Sequence, residues 1–435
     1  MARTPGHKWM VAFRKLINIQ INYLKYSGLW VIDPGHPWLS KSAYLVCKGW
    51  TLSAMYIFAI TLFADICDNI DNLSITSDDG CVFAGIAVVI FKTMNYQIRQ
   101  KKIALFVDKV LKCSDDLCEF SNEESIKPII DKYRLRITVT FWGFSALGCA
   151  LGFLLLFASP RQNDLPIRAK YPFNTTTPGW HELSFFIETC AVSGGLVAIV
   201  GMDSITIYMS SIITMLLDIL SCNFESCSGR SANNVRSFAI IYICSKSLIK
   251  VWFYQENEIC LVRNCEERQR DKWDSNKFLH RYKNCIRFHQ RLVTLSKEYN
   301  RLFSSSMFVQ MLSSTSMICL TGFQAVVVGG QSSDIMKFGM YLSAAVSQLL
   351  YICWIGNELS YSSSVLDKSQ WLSDWHHEHL PSIVQVFTLS TMSTRRTLTL
   401  KAGIFFVLSL ETFIAIVKGS YSVFTLLNNM QTTDP

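Results

Sequence analysis

Charge is what this sequence has least of: Asp, Glu, Lys and Arg make up 17% of its 435 residues, against about 25% in soluble domains. That scarcity excludes an ordinary soluble globular chain. Hydrophobic residues reach 50%, aromatics 13%, and the mean hydropathy is +0.24. The fifteen cysteines contain no C-x2-C pair, so neither a zinc site nor a disulfide framework is indicated. The four-residue gap shared by Cys113/Cys118, Cys222/Cys227 and Cys260/Cys265 reads as coincidence. Residues 1–27 hold no apolar core ending at a small-residue cleavage site, so the first membrane helix is expected to act as the signal. There is no nucleophile and base arrangement, no phosphate-cradling glycine loop and no metal motif, which leaves an enzyme nothing to work with and implies no cofactor. The net charge of +8 does not mark a nucleic-acid binder, because the basic residues sit in loops between apolar runs instead of one patch.

What is present is a series of apolar stretches that read as membrane spans, since about 20 residues at 1.5 Å rise cross about 30 Å of hydrocarbon. The chain divides into an N-terminal segment, 1–41; spans one to four within 42–220; a long inner segment, 221–302; spans five and six within 303–356; a polar segment, 357–402; a last apolar stretch, 403–428; and a tail, 429–435. The fold class is therefore an all-α membrane protein of seven transmembrane helices. Lys48 and Trp50 in the first span need interior partners, while Lys92 and Asn95 stand toward the far end of the second, placed to snorkel. A helical rhythm at Ile103, Phe106, Val107, Val110 and Leu111 carries the second span on beyond the lipid. The third span, 137–157, is rich in small residues, and Gly148 with Gly152 forms a GxxxG that lets another backbone come close. The same emptiness leaves room for a ligand. Glu188 and Asp203 are carboxylates within the fourth span and so functional candidates; Asp203 is expected to bond to an adjacent helix.

Two stretches are unusual. Residues 235–255 are apolar but interrupted by Lys246 and Lys250, which makes a marginal span expensive, so the segment is read as a cytoplasmic insertion covering about 235–276; a translated intron is a second explanation. His376, His377, Glu378 and His379 depart from H-E-x-x-H and read as a solvated cluster, not a metal site.

The stretch 403–428, GIFFVLSLETFIAIVKGSYSVFTLLN, is apolar enough to span yet carries Glu411, Lys418 and Tyr421. Tyr421, Phe424 or Thr425, and Asn428 recur every three or four residues, so one helical stripe is aromatic, hydroxyl and amide. That pattern suits a pore-lining helix, and equally a last helix packed inside a bundle.

Its Ser-Leu-Glu-Thr-Phe centre and Ser-Tyr-Ser-x-Phe-Thr-Leu-Leu end resemble the last helix of insect odorant receptors. SGLWVIDPGHPW (27–38) resembles the Gly-Leu-Trp-Pro opening of that family, with Val31 where Pro often stands, and LPIRAKYPF (165–173), GMDSITIYMSSIITMLLDIL (201–220), KNCIRFHQRLVTLSKEYNRLF (283–303) and SSSVLDKSQWLSDW (362–375) resemble further parts of it. Nothing in the family is similar to 235–255.

A cytoplasmic N-terminus places about 34 Lys and Arg in inner segments against about 3 in outer loops. Both sequons, at Asn72 and Asn174, then fall in outer loops open to glycosylation, and the C-terminus is extracellular. A G-protein-coupled receptor has an external N-terminus, and neither Asp-Arg-Tyr at the inner end of the third span nor Asn-Pro-x-x-Tyr in the last is present. No repeat relates the first spans to the later ones, as many carriers of small hydrophobic molecules would show. A gustatory-type channel is the nearer alternative, and the Ser-Tyr-Ser-x-Phe-Thr ending favours the odorant branch.

The resemblance implies a ligand-tuning subunit of a heterotetrameric, odorant-gated, non-selective cation channel. It would assemble with a shared odorant co-receptor subunit in the plasma membrane of olfactory sensory neurons, among membrane lipid and without nucleic acid. The family's ligand site, in the outer halves of the second to sixth helices, maps to Val82, Phe83 and Ile86; Ser145, Gly148 and Gly152; Phe186 and Thr189; and Met340, Tyr341 and Ala344. These walls favour a small volatile hydrophobic ligand held by shape and one hydrogen bond to Thr189 or Tyr341. The pore would be lined by Tyr421, Phe424, Leu427 and Asn428, with Phe424 or Leu427 as the constriction and Asn428 with Asn429 at the mouth.

Overall fold

The computed structural model of the chain describes residues 6–26, 28–30, 37–71, 73–158, 165–175, 177, 179–228, 275–327, 332–375 and 381–433. Asn72, the segment 235–255, the turn 329–331 and the histidine cluster 376–379 lie outside the described residues. Within them the chain folds as helices α1 (Gly6–Tyr26), α2 (Trp38–Asp68), α3 (Leu73–Phe120), α4 (Glu123–Phe153), α5 (Trp180–Glu225), α6 (Ser275–Val327), α7 (Ser332–Trp371), α8 (Pro381–Thr394) and α9 (Leu410–Thr433). A short antiparallel pair, β1 (Lys401–Ala402) and β2 (Phe406–Val407), precedes α9. Among the described residues, six helices, α2 to α7, are long and apolar enough to cross a membrane; α9 has the length at 24 residues but carries Glu411, Lys418 and several hydroxyls.

Helices α3, α5 and α6 run for 48, 46 and 53 residues, about 70 to 80 Å, whereas the hydrocarbon core is about 30 Å thick. A large part of each must therefore stand clear of the lipid. The end of the bundle where α2 finishes and α3, α5 and α7 begin is here called upper, and the opposite end lower. In the upper part, Ile60, Trp142 and Phe153 are exposed on the outside, as lipid-facing side chains would be. Lower down, every residue of α5 from 201 to 217 is buried, which makes it the central helix of that half. Around it pack α3, α4, α6 and α7, together with α1 through Leu16, Ile17 and Leu24. Arg14 of α1 pairs with Asp115 of α3 at 2.5 Å, and Tyr23 meets the Phe141 ring edge-on at 5.3 Å.

The extension of the second helix agrees with its periodicity and that of the fourth with the resemblance of 201–220, but other boundaries differ. The sixth span was expected to end near 355, and α7 continues to Trp371. The reason lies in the stripe Leu359, Ser362, Ser363, Leu366, Ser369 and Gln370, all buried at helical spacing; serines are small enough for close packing and are bonded here, as Ser369 to Glu225 at 2.8 Å. The last helix begins at Leu410 instead of 403 because 401–407 turns back as a hairpin: Gly403 has φ +64, its N–H donates to the Ser304 carbonyl at 3.0 Å, and the Ser409 hydroxyl then caps α9 by accepting from the Thr412 N–H at 3.2 Å. At its far end α9 runs through the expected tail to Thr433.

Candidate functional site

Three polar side chains from three helices meet in the middle of the bundle. Lys92 of α3, its side chain 2% exposed, pairs with Oδ1 of Asp203 on α5 at 2.5 Å, and the Gln348 amide on α7 donates to Oδ2 of the same carboxylate. Lys92 thus does not snorkel. A lysine inside an apolar bundle is held by a paired carboxylate, since the unpaired ammonium would be costly. Asp203 makes the bond to a neighbouring helix that its position suggested. One turn further in, the Tyr96 hydroxyl bonds the Met202 carbonyl at 3.0 Å and the Thr206 hydroxyl at 3.1 Å, while Tyr299 of α6 donates to the Thr206 carbonyl at 3.2 Å.

This layer gives a ruler for the candidate ligand residues. At 1.5 Å per residue, Ile86 and Phe83 stand about 9 and 14 Å above it and Val82 about 15 Å, while Ala344, Tyr341 and Met340 stand about 6, 10 and 12 Å above it. Those six residues of α3 and α7 lie at one depth of the bundle, here called one zone. Ile86 and Tyr341 are buried in it, and the Tyr341 hydroxyl has no hydrogen-bond partner among the described residues. On α4, a side chain at Gly148 would meet Val200 at 3.3 Å and one at Gly152 would meet Leu196 at 2.8 Å, so the GxxxG face serves the approach of α5. Ser145, one turn below, is buried with an unpartnered hydroxyl at about the level of the polar layer. Thr189 and Phe186 stand about 21 and 26 Å above the layer. Phe186 is exposed on the outer surface at 5.8 Å from the Trp50 ring. Trp50 itself, expected to need an interior partner, is 46% exposed on the outside of α2, where its ring is at home against apolar surface.

Glu188, the second carboxylate of α5, is fully buried and fastens the loop above it: it accepts from the Ile167 N–H and the Tyr171 hydroxyl, both at 3.2 Å. Burial first, and then the Glu188 carboxylate, push the Tyr171 phenol above the usual tyrosine range. The same loop is tied to the end of α2 by Arg168 on Asp65 at 2.7 Å and by Lys170 on Asp68. Asn174 beyond it is exposed.

Helix α9 lies along α6 and touches α7 at its base. Cys319 of α6 donates its thiol to the Ser420 carbonyl at 3.6 Å, and a side chain on Gly322 would meet the Phe424 ring at 3.5 Å. Tyr421 is 67% exposed, so the two aromatics of the stripe point differently, one outward and one toward α6. Leu427 and Asn428 are helical, and their side chains lie outside the described residues. At the base, a Cβ on Gly356 of α7 would collide with the Leu408 carbonyl oxygen and stand 2.5 Å from Leu408 Cβ. Glycine is required there because the two backbones touch. Gln348 and Gly356 were not evident from spacing; opposite charges facing each other from neighbouring spans, Lys92 and Asp203, were the available signal.

Comparison with known proteins places this architecture. The family model described as 7tm Odorant receptor matches residues 73–421. Odorant receptor 13a of Drosophila melanogaster is 22% identical over 451 aligned positions, covering 96% of each chain. Odorant receptor Or1 of Anopheles gambiae is 29% identical over 150 residues, 34% of this chain and 36% of that protein, and odorant receptor 83a of Drosophila melanogaster is 22% identical over 65% of both; those two alignments span less than two thirds of the relatives' length. The structure of the insect olfactory receptor OR5 from Machilis hrabei in complex with eugenol superposes with a TM-score of 0.74 at 12% identity, over 97% of this chain and 99% of that one. This all-α, multi-pass membrane protein belongs to the insect odorant receptor family.

Proposed function

We propose that the protein is the ligand-tuning subunit of an odorant-gated, non-selective cation channel assembled with a shared co-receptor in the plasma membrane of olfactory sensory neurons. The observation that carries this reading is the arrangement of α7. The helix contributes Met340, Tyr341 and Ala344 to the zone shared with Val82, Phe83 and Ile86, and it seats the base of α9 at Gly356. A small, mostly apolar volatile fits such walls, with the unpartnered Tyr341 hydroxyl as its hydrogen-bond partner. Ser145 and Thr189 each carry a buried unpartnered hydroxyl at other depths of the bundle, whereas Gly148 and Gly152 are closed by α5 and Phe186 faces outward, so these five are not part of the zone in this reading. The related OR5 structure, solved with eugenol, supports a ligand of this size class.

The lower end is cytoplasmic in this reading, as the Lys and Arg distribution favours. Tyr421, Phe424, Leu427 and Asn428 line or gate the conduction path. A ligand opens the channel only through higher affinity for the open state. Expression in cells that lack odorant receptors, with and without the co-receptor, tests the reading by whole-cell current. Current that needs both subunits, with ligand preference altered by Tyr341→Phe, is the expected result; current from this chain alone, or no current with any partner, overturns the tuning-subunit role.

A further inference from the structure

We propose that the bond from Gln348 to Asp203 is the latch that α7 releases when the channel opens, with Gln348 acting as a positioning residue between ligand and pore; this rests on the channel reading above. Helix α7 carries three contacts in line: Tyr341 in the ligand zone, Gln348 in the polar layer and Gly356 against α9. The steps between them are about 10 and 12 Å. One rigid helix therefore joins the place where a ligand would press to the place where the pore helix rests.

The ties along α7 differ in strength. Near its top Lys337 pairs with Asp78 of α3 at 2.8 Å. Lower down, the Tyr351 and Thr140 hydroxyls bond at 2.7 Å and buried Glu358 pairs with nearly buried Arg136, whose guanidinium also lies 4.2 Å over the Trp354 ring. Those lower contacts fix α7 to α4 and make a pivot. Between top and pivot, Gln348 is the polar side chain that holds α7 to Asp203. The two arms on Asp203 are unequal: separating Lys92 from it would strand a buried charge, whereas the neutral amide leaves without stranding one. A helix pressed sideways at Tyr341 thus parts first at Gln348, and α3 and α5 remain joined. Because Gly356 lies within the pivot, between Tyr351 and Glu358, a tilt reaches Leu408 as a rotation of α7 against a backbone contact with no side chain to absorb it.

The test is whole-cell recording of Gln348→Leu beside the wild type, each with the co-receptor, using eugenol and a series of medium-chain alcohols and esters, with surface protein measured by biotinylation. A hydrogen bond to a charged group, lost on opening, is expected to move the closed-to-open equilibrium roughly tenfold. Ligand-free current should rise and half-maximal concentrations fall, at wild-type surface amount. Gln348→Asn, which keeps the amide but shortens the arm, should shift both readouts the same way. Three results overturn the latch while leaving the channel reading intact: both readouts unchanged, a rise in half-maximal concentration, or a fall in surface protein with unchanged sensitivity. A wild type silent with every partner overturns both.

Discussion

Replacing Gly356 with alanine puts one carbon where α7 meets the base of α9. That carbon would stand 2.5 Å from Leu408 Cβ and 2.9 Å from its carbonyl carbon, and would also meet its carbonyl oxygen. Nothing flexible is available to give way, because these are backbone or near-backbone atoms and the Leu408 N–H is itself held by the Leu400 carbonyl at 2.9 Å. The strain belongs at the upper end of overpacking, about 3 kcal/mol. Alanine in mid-helix recovers about 1 kcal/mol over glycine, leaving a net loss of about 2 kcal/mol, roughly 30-fold in the equilibrium that seats α9. The expected outcome is a receptor that reaches the surface but whose ligand-evoked current is reduced or replaced by steady leak. Gly339→Ala on the same helix, where a Cβ would meet nothing within 4 Å, is the control and should behave as wild type. A Gly356→Ala variant with wild-type basal current and dose response would refute the seat.

Phe424→Ala should raise ligand-free current, since the ring that packs toward Gly322 of α6 is lost from α9; unchanged basal current and ligand response would remove Phe424 from the gate. Glu358→Leu strands the Arg136 guanidinium, both side chains being nearly buried at 13% and 11% exposure, and should cost about 3 to 5 kcal/mol. Surface protein should collapse, and Arg136→Leu with Glu358→Leu should recover it; failure of the double variant to recover would assign Arg136 another role. Wild-type protein should lose mass on glycosidase treatment and Asn174→Gln should lose less, because Asn174 is exposed in the upper loop; a wild type with no glycan at either sequon would remove that support for an extracellular upper end.

The helices were legible because burial follows a single period. Ile103, Phe106, Val107 and Val110 repeat at helical spacing and are buried, with Leu111 half-buried, and the apolar fourth span continues unbroken to Glu225. Where polar residues do the packing, periodicity of apolar residues misleads: Ser362, Ser363, Ser369 and Gln370 look like a loop and are core. The hairpin at 401–407 was hidden for a related reason, since Ile404, Phe405 and Phe406 read as the start of a span although Gly403 turns the chain at positive φ. As for the site, the candidate positions on α3 and α7 came from the resemblance and not from spacing. The partner of each charge did not, because Lys92 and Asp203 are 111 residues apart and only the packed bundle brings them together.

The long segment from 229 to 274 allows a prediction from geometry alone. Just before it, Phe224 meets the Tyr282 ring at 5.3 Å and the Cys227 and Cys285 thiols are 3.9 Å apart. The end of α5 and the early turns of α6 therefore lie together at the lower end. Cys285 stands ten residues after the start of α6, about 15 Å along its axis, a gap that about five extended residues bridge. Far more chain is present than the connection needs. Replacing 229–274 with about eight Gly and Ser residues should leave surface protein at or above the wild-type amount, since the shorter loop is cheaper to close by about 1.5 kcal/mol. Ligand-gated current that persists in this variant would show that the packed contacts of α5 and α6 suffice for assembly. Loss of surface protein, with the wild type normal, would mean that contacts made by 229–274 hold the bundle and that the closure at Phe224, Cys227, Tyr282 and Cys285 does not.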